Sequence, residues 1–288
     1  MIRTDLAVER REMCRGGDPP GVRMERSDNG GCVTTVIEIL NEAGAEAIQK
    51  PVGKYITLET DGFPDSSSLS DGRLDALCDA LEQLLPREGH ILAVGLGNTD
   101  ITPDALGPEC ASQIIATRHL PEEMKKELGL PGLRTVSVLT PGVAGKTGIE
   151  STEIIASVVQ RVKPAAVLTV DALAARSVSR LAKTVQLCDT GIQPGSGVGN
   201  SRKAVDEKTL GVPVIAVGVP TVVDAASLAH DVLGAYEDCA DAPCEYAEMM
   251  VTPRDTDVIT ASAARFIALA VNCVLQKELT REEIAALM

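Results

Sequence analysis

Apolar and polar positions alternate along the chain in a way that predicts strands followed by helices. Continuous apolar runs at 91–96, 165–170 and 213–219 are typical of strands that are buried on both faces. Leucines spaced three and four apart over 73–86 indicate an amphipathic helix. This order of strand, helix and strand predicts an α/β fold, with an open and mostly parallel sheet and helices on both faces.

The same patterns predict the remaining elements of a single domain over 1–288. Further strands are expected at 32–40, 54–59, 135–140 and 184–188, and further helices at 41–49, 105–120, 149–163, 172–183 and 221–236. Thr252 has the position of an N-cap for a helix that runs to about residue 277, and Thr280 with Glu283 forms a capping box for a last helix. Residues 1–31 are expected to form a loosely ordered lead-in, and 237–248 a surface connection.

Composition and charge narrow the classes of function. The chain has 288 residues, a net charge of −14 and only 2% aromatic residues, so direct nucleic-acid binding is not expected. The charged N-terminus has no apolar signal-peptide stretch, and no run is expected to reach the ~18 apolar residues of a membrane helix. We therefore expect a cytoplasmic protein without membrane contact. The eight cysteines contain no Cys-x-x-Cys pair and the three histidines are scattered, so neither a metal site nor a cofactor is expected.

Two aspartates stand where an α/β sheet places its ligand crevice. Asp104 and Asp171 are each expected near the carboxyl end of a strand, just before a helix. Either one alone is more simply an N-cap. Two carboxyl groups that face one crevice and share a proton would have different pKa values, so that one serves as an acid and the other as a base. Such a pair can activate water for hydrolysis without a metal or a nucleophilic side chain.

Three further motifs are weaker. Residues 140–147 come close to a phosphate-binding loop, but Thr140 replaces the first glycine and Pro141 lacks the backbone donor that such a loop uses, which favours a glycine-rich turn. Residues 195–200 fit a flexible loop and a substrate-binding loop equally well. Asp189–Thr190–Gly191 spells the aspartic-peptidase triplet, but the all-β context of that triplet is missing, and Asp189 fits a turn aspartate.

A resemblance to a known family covers nearly the whole chain. The matching segments are RTDLAVE (3–9), YITLE (55–59), VGLGN (94–98), TPDALGP (102–108), TRHL (117–120), PGVAGKTGIE (141–150), DALAARS (171–177), DTGIQPGSGVGN (189–200), GVPVIAVGVPTVVDA (211–225) and MVTP (250–253). They resemble the germination proteases of endospore-forming bacteria, which are atypical aspartic endopeptidases that degrade small acid-soluble spore proteins.

The resemblance implies a fold similar to that of the hydrogenase-maturation peptidases. It implies that Asp104 and Asp171 are the catalytic aspartates, since they lie in the TPDALGP and DALAARS motifs. We further expect Asp189, Gly195, Ser196 and Gly197 to contact the substrate. A metal-assisted peptidase of the hydrogenase-maturation type and a nucleotide-binding module that uses 140–147 are the alternative hypotheses.

The resemblance also implies how the enzyme is activated and where it acts. Family members are inactive homotetrameric zymogens that cleave themselves near the N-terminus, after an acidic residue and before an apolar residue that is followed by Ala. Here the bond is Asp5–Leu6, which makes residues 1–5 a short propeptide. The connection at 237–248 is shorter than the insertion of some members. The expected place of action is the cytoplasm of the spore core, and the expected partners are the small acid-soluble spore proteins.

Overall fold

The fold is built around a nine-stranded sheet. The computed structural model describes residues 4–14, 17, 19–28, 31–63, 69, 71–127, 129–197, 199, 202–233 and 249–288. The strands are β1 Val22–Asp28, β2 Val33–Ile39, β3 Gly53–Glu59, β4 Ile91–Gly95, β5 Val136–Leu139, β6 Ala166–Ala175, β7 Thr184–Cys188, β8 Val214–Asp224 and β9 Met250–Val251. The helices are α1 Ala7–Glu12, α2 Glu42–Ile48, α3 Gly72–Leu84, α4 Leu106–Ser112, α5 Glu122–Glu127, α6 Ala144–Thr147, α7 Ser151–Val162, α8 Glu207–Leu210, α9 Ala225–Leu233, α10 Thr256–Leu275 and α11 Arg281–Leu287.

The strand order is β1-β2-β3-β7-β8-β6-β4-β5, and β9 pairs with the end of β8. The α/β class with helices on both faces is confirmed, but the sheet is mixed rather than mostly parallel. Only the β4–β5, β4–β6 and β6–β8 pairs run parallel, whereas β1, β2, β3, β7 and β9 pair antiparallel with their neighbours. Parallel neighbours need a crossover of a dozen or more residues. The connection from β6 to β7, which holds the short turn Val178–Arg180, is too short for such a crossover. Strand β7 therefore runs antiparallel to its neighbour β8.

Several predicted boundaries are wrong where strand pairing overrides local preference. The predicted helix over 172–183 is absent because β6 continues to Ala175, paired with an equally extended β8. The predicted helix over 105–120 shortens to α4, and the predicted lead-in over 1–31 contains both α1 and β1. The last long helix begins at Thr256 and not after Thr252. The capping box of Thr280 is confirmed. The predicted connection at 237–248 lies outside the described residues.

The two faces of the sheet differ. One face is covered by α3, α4, α10 and α11, which pack on a single large apolar cluster. The other face has two smaller clusters, one beneath α1 and α2 and one beneath α7 and α8. Between these two clusters the strand register places Thr57, Gln186, Gly218 and Asp171 side by side across β3, β7, β8 and β6. We call these four residues the polar row, and the candidate site forms over three of them, Gln186, Gly218 and Asp171.

Helix α10 corrects the expectation that no stretch reaches the length of a membrane helix. Within the described residues it is the single helix that is long and apolar enough to cross a membrane, with twenty residues. In the structure its side chains pack in the core against α3 and α4, and Ala263, Ile267 and Val271 are fully buried. Its apolar composition is that of a central core helix.

Candidate active site

Asp104 is positioned by a turn that follows β4. It ends the short helical turn Thr102–Asp104, and the backbone N–H of Asn98 donates to its carbonyl oxygen at 3.0 Å. Gly97 has a φ of +121°, and a Cβ atom there would lie 2.0 Å from that same oxygen. The Thr221 hydroxyl fixes the other side of the turn by donating to the carbonyl oxygen of Pro103 at 2.7 Å. The turn therefore needs glycine at position 97, and it holds Asp104 beside β6.

The sequence pattern predicts that Asp171 lies at a strand end before a helix, but the structure places it within β6. Its side chain is 5% exposed, and its Oδ1 accepts the backbone N–H of Ala172 at 2.9 Å. The two aspartates line one cavity of about 450 Å³. Asp104 reaches it from the turn after β4, and Asp171 reaches it from the neighbouring strand β6. The structure therefore brings together the two residues that the sequence singled out.

The environments of the two carboxyl groups are unequal. Burial raises the pKa of Asp171 well above its ordinary value, and the negative charges of Asp104 and Asp5 raise it further. Burial also raises the pKa of Asp104, but the N–H of Asn98 and the charge of Arg202 oppose that rise. These environments raise the pKa of Asp171 more than that of Asp104.

Asp5 lines the same cavity as the two aspartates. Its Oδ1 accepts the Ser196 hydroxyl at 2.8 Å, and its Oδ2 accepts the backbone N–H of Ala174 at 2.9 Å. Ser196, Gly197 and the Ala174 N–H together form a binding site for the Asp5 side chain, which we call the seat. Gly197 packs closely against Asp5, because a Cβ atom at position 197 would lie 2.0 Å from the Asp5 Oδ2. The Asp5 N–H also donates to the Ala174 carbonyl oxygen at 2.9 Å. The side chain and the backbone of Asp5 are therefore both held at the cavity.

The residues after Asp5 are buried in the fold. Leu6 and Ala7 have no exposed surface and pack in the apolar cluster beneath α1 and α2. The Gln186 side chain bonds the backbone on both sides of Leu6: its Nε2 donates to the Asp5 carbonyl oxygen at 2.9 Å, and its Oε1 accepts the Ala7 N–H at 2.6 Å. The predicted cleavage bond, Asp5–Leu6, is thus fixed against the polar row.

The glycine-rich loop and Asp189 have different positions. Gly195 and Gly197 line the cavity of the two aspartates, and Ser196 lines the adjoining cavity. Asp189 is exposed at the start of β3, where its Oδ1 accepts the Lys54 N–H at 2.8 Å. The structure does not bring Asp189 to either cavity.

The segment 140–147 forms part of the cavity wall. Val143 and Gly145 line the cavity, while Lys146 forms an ion pair with Asp100. For a metal ion, the described residues contain no group of three or more His, Cys, Asp or Glu side chains that is placed to bind one.

Two residues of the site were not predicted from the sequence. Gln186 is one of them. It lies in a strand whose five residues are all buried, and a buried amide side chain needs hydrogen-bond partners, which is the feature that could have indicated a role. Arg202 is the other, and it lines the cavity and pairs with Glu150 at 3.6 Å. An arginine in a glycine-rich loop gives no comparable signal.

Comparison with known proteins identifies the family. The family model described as germination protease matches residues 4–236. The chain belongs to the germination protease family. It is 40% identical to a germination protease of Caldanaerobacter subterraneus subsp. tengcongensis, over all of this chain and 98% of that relative. It is also 40% identical to a germination protease of Clostridium perfringens, over 98% of both chains. Its membership makes this chain a peptidase that acts on protein substrates.

Two other similarities are lower in coverage or in identity. A germination protease of Priestia megaterium is 42% identical over 81% of this chain and 66% of that relative. Among solved structures, a NiFe hydrogenase maturation protease from Thermococcus kodakarensis matches 68% of this chain and 98% of its own, with a TM-score of 0.39 and 18% identity. The family assignment depends on the sequence relatives.

Proposed function

We propose that this peptidase is an endopeptidase of the atypical aspartic type that degrades small acid-soluble spore proteins during germination, with residues 1–288 as a single peptidase domain. The observation that carries the proposal is the shared cavity of Asp104 and Asp171, two carboxyl groups with unequal environments. A pair that holds one proton between its members can supply both the base and the acid that peptide hydrolysis needs.

The unequal environments suggest which aspartate has which role. Asp104, which is half-buried and near Arg202, would be ionised and accept a proton from the attacking water. Asp171, which is buried and has a raised pKa, would carry the proton and donate it to the nitrogen of the leaving amine. Water supplies the oxygen of the new carboxyl group, so the step needs no other reactant.

The docked N-terminal segment supports self-processing at the Asp5–Leu6 bond. Its acidic side chain occupies a seat made by Ser196, Gly197 and the Ala174 N–H, next to the aspartate pair. We propose that Gly195, Ser196 and Gly197 bind protein substrates in the same way, and that removal of residues 1–5 converts a zymogen into the active enzyme by vacating the seat. Asp189 lies away from the seat and has no part in this proposal.

The assembly and the place of action are proposed from the family resemblance. We propose a homotetramer that acts in the cytoplasm of the spore core, where its substrates would be. Light scattering of the purified protein, coupled to size-exclusion chromatography, tests the homotetramer directly.

The proposed function is tested by intact-mass spectrometry of the wild type and Asp171→Asn, each incubated alone at several pH values. Loss of residues 1–5 from the wild type alone supports the aspartate-dependent peptidase. Asp189→Asn is the matched control, because it removes an exposed aspartate away from the cavity, and it should process like the wild type. Cleavage of an added small acid-soluble spore protein by folded Asp171→Asn at the wild-type rate would contradict the assignment.

A second measurement separates this mechanism from the metal-assisted alternative. Cleavage of the same spore protein is followed after prolonged treatment with a chelator and again after divalent metal ions are added back. Unchanged activity supports the aspartate pair acting alone. Activity that is lost to the chelator and restored by the metal would favour the metal-assisted peptidase.

A further inference from the structure

Gln186 is a buried amide whose side chain forms two hydrogen bonds to backbone atoms of the docked segment. Its side-chain N–H donates to the carbonyl oxygen of Asp5, and its carbonyl oxygen accepts from the N–H of Ala7. Both partners are backbone groups that any segment has in the same places unless proline stands at the position of Ala7. A segment of different sequence in this position would therefore meet the same two hydrogen bonds, which is what an endopeptidase requires of a residue that holds the substrate backbone.

The carbonyl that Gln186 holds belongs to the Asp5–Leu6 bond. Hydrolysis of a peptide bond turns its carbonyl oxygen into an oxyanion, and a preorganised N–H donor aimed at that oxygen stabilises the developing charge. Gln186 is only 6% exposed, so little of its side chain is open to competing water. The donor is thus already in contact with the oxygen that would become negatively charged.

The strand register relates Gln186 to the catalytic pair. Gly218 of β8 pairs with Gln186 of β7 on one side and with Asp171 of β6 on the other. Paired residues present their side chains on the same face of a sheet, and two strand spacings put these two residues about 10 Å apart at the backbone. Gly218 has no side chain to stand between them. Asp5 bridges the gap, since it lines the cavity of Asp171 and also the adjoining cavity of Gln186.

We propose that Gln186 is a catalytic residue of this peptidase, whose amide N–H binds the carbonyl oxygen of the bond being cut and stabilises the oxyanion. The inference rests on the proposed function, because it takes Asp5–Leu6 as a cleaved bond and Asp104 with Asp171 as the acid–base pair. The water oxygen bonds to the carbonyl carbon while its proton passes to Asp104, and the carbonyl π electrons move to the oxygen that Gln186 holds. When the carbonyl forms again, the C–N bond breaks and Asp171 protonates the leaving nitrogen.

Gln186→Glu is the sharpest variant. It preserves the shape and the acceptor for the Ala7 N–H, but an ionised glutamate has no proton to donate to the Asp5 carbonyl oxygen. Thr57→Val is the matched control, because Thr57 is the β3 partner of Gln186, is fully buried, and has a hydroxyl without a hydrogen-bond partner in the part of the chain that the structure describes. Gln186→Met serves as a second variant without a donor if the glutamate variant does not fold.

Self-processing and cleavage of an added small acid-soluble spore protein are measured for all four proteins, with melting temperatures as the check of folding. We expect folded Gln186→Glu to lose roughly 100- to 1,000-fold in the self-processing rate constant and in kcat, with a smaller change in KM. Its rate relative to the wild type should recover at acid pH, where a protonated glutamic acid again offers a donor. Thr57→Val should match the wild type.

Three outcomes would overturn the inference. If folded Gln186→Glu and Gln186→Met keep kcat near the wild-type value and change only KM or the melting temperature, Gln186 is a structural clamp. If Gln186→Glu loses kcat equally at every pH and Thr57→Val loses as much, the loss reflects a disturbed sheet. A wild type that is inactive in both assays would overturn the proposed function together with this inference, whereas the first two outcomes leave the proposed function intact.

Discussion

The buried carboxylate of Glu9 accepts the backbone N–H of Ser177 at 2.9 Å, and so ties helix α1 to the residues just after β6. Its other oxygen accepts the Arg176 N–H at 2.7 Å and the Thr4 hydroxyl. Arg180 lies 3.8 Å from Glu9 and also pairs with Glu12 and Glu59. Glu9 therefore fixes the segment that follows the proposed cleavage bond to the strand that carries Asp171.

Replacing Glu9 should be costly for stability. Glu9→Ala leaves the partly buried N–H groups of Arg176 and Ser177 without their acceptor, and we expect the free energy of unfolding to fall by about 3 kcal/mol. Glu12→Gln is the control, because Glu12 pairs with the same arginine at the surface, and it should cost about 1 kcal/mol or less. Urea unfolding followed by circular dichroism measures both changes. Equal effects would show that the burial of Glu9 contributes nothing.

Asp171→Asn should stabilise the protein at neutral pH. The pKa of Asp171 is raised in the folded state, so unfolding releases a proton and wild-type stability falls as the pH rises through that pKa. Below the unfolded pKa of about 3.9 the carboxyl is protonated in both states, and this penalty vanishes. The melting temperature of Asp171→Asn should therefore exceed that of the wild type at pH 8, with a gap that closes on acidification. A gap that widens on acidification would mean that the pKa is lowered instead.

The pH profile of cleavage should be bell-shaped. Activity falls on the acid side as Asp104 becomes protonated, and on the alkaline side as Asp171 loses its proton. Asp104→Asn should lower kcat by roughly 100- to 10,000-fold, the range for loss of a general base. Asp100→Asn is its control, since Asp100 is an exposed neighbour that pairs with Lys146. A profile with a single limb would argue against a pair that shares a proton.

Gly197→Ala should slow the removal of residues 1–5. An added Cβ atom would lie 2.0 Å from the Asp5 Oδ2, and Gly197 is not among the glycines with positive φ, so the backbone itself tolerates alanine. Asp5→Ala in the same chain removes the clash with the Asp5 side chain, whereas the close contact with the Ala174 Cβ atom at 2.7 Å remains, so docking of the segment should be restored in part. Binding of the segment is read from hydrogen exchange at Leu6 and Ala7. The effects of Gly197→Ala and Asp5→Ala on binding of the segment should therefore be non-additive. Additive effects would mean that Gly197→Ala does not act through Asp5.

Self-processing should occur within one chain. Leu6 and Ala7 are fully buried, so a second molecule cannot reach the Asp5–Leu6 bond while the segment is docked. We expect a first-order rate constant that does not change with protein concentration. Mixing active wild type with Asp171→Asn should leave the variant's residues 1–5 in place, as intact mass spectrometry will show. Cleavage of the variant by the wild type would mean that the segment undocks first.

The strands β4, β6 and β8 and the aspartate pair that we propose to be catalytic could be predicted from the sequence, because both depend on local patterns. Apolar runs located β4, β6 and β8, and the position of aspartates relative to these runs singled out Asp104 and Asp171. Local pattern failed at 172–183, since a stretch of alanine and leucine is compatible with a helix. The hydrogen bonds that β8 offers there make it a strand.

The sequence by itself determined the α/β class, the family motifs and the pair of aspartates. Only the tertiary structure decided the mixed direction of the sheet, the docking of Asp5 between Ser196 and Ala174, and the row that joins Gln186, Gly218 and Asp171. The physical reason is that these relationships are set by pairing between strands far apart in sequence. Positions 171, 186 and 218 have no periodic relation along the chain, and they become neighbours only when β6, β8 and β7 align in one sheet.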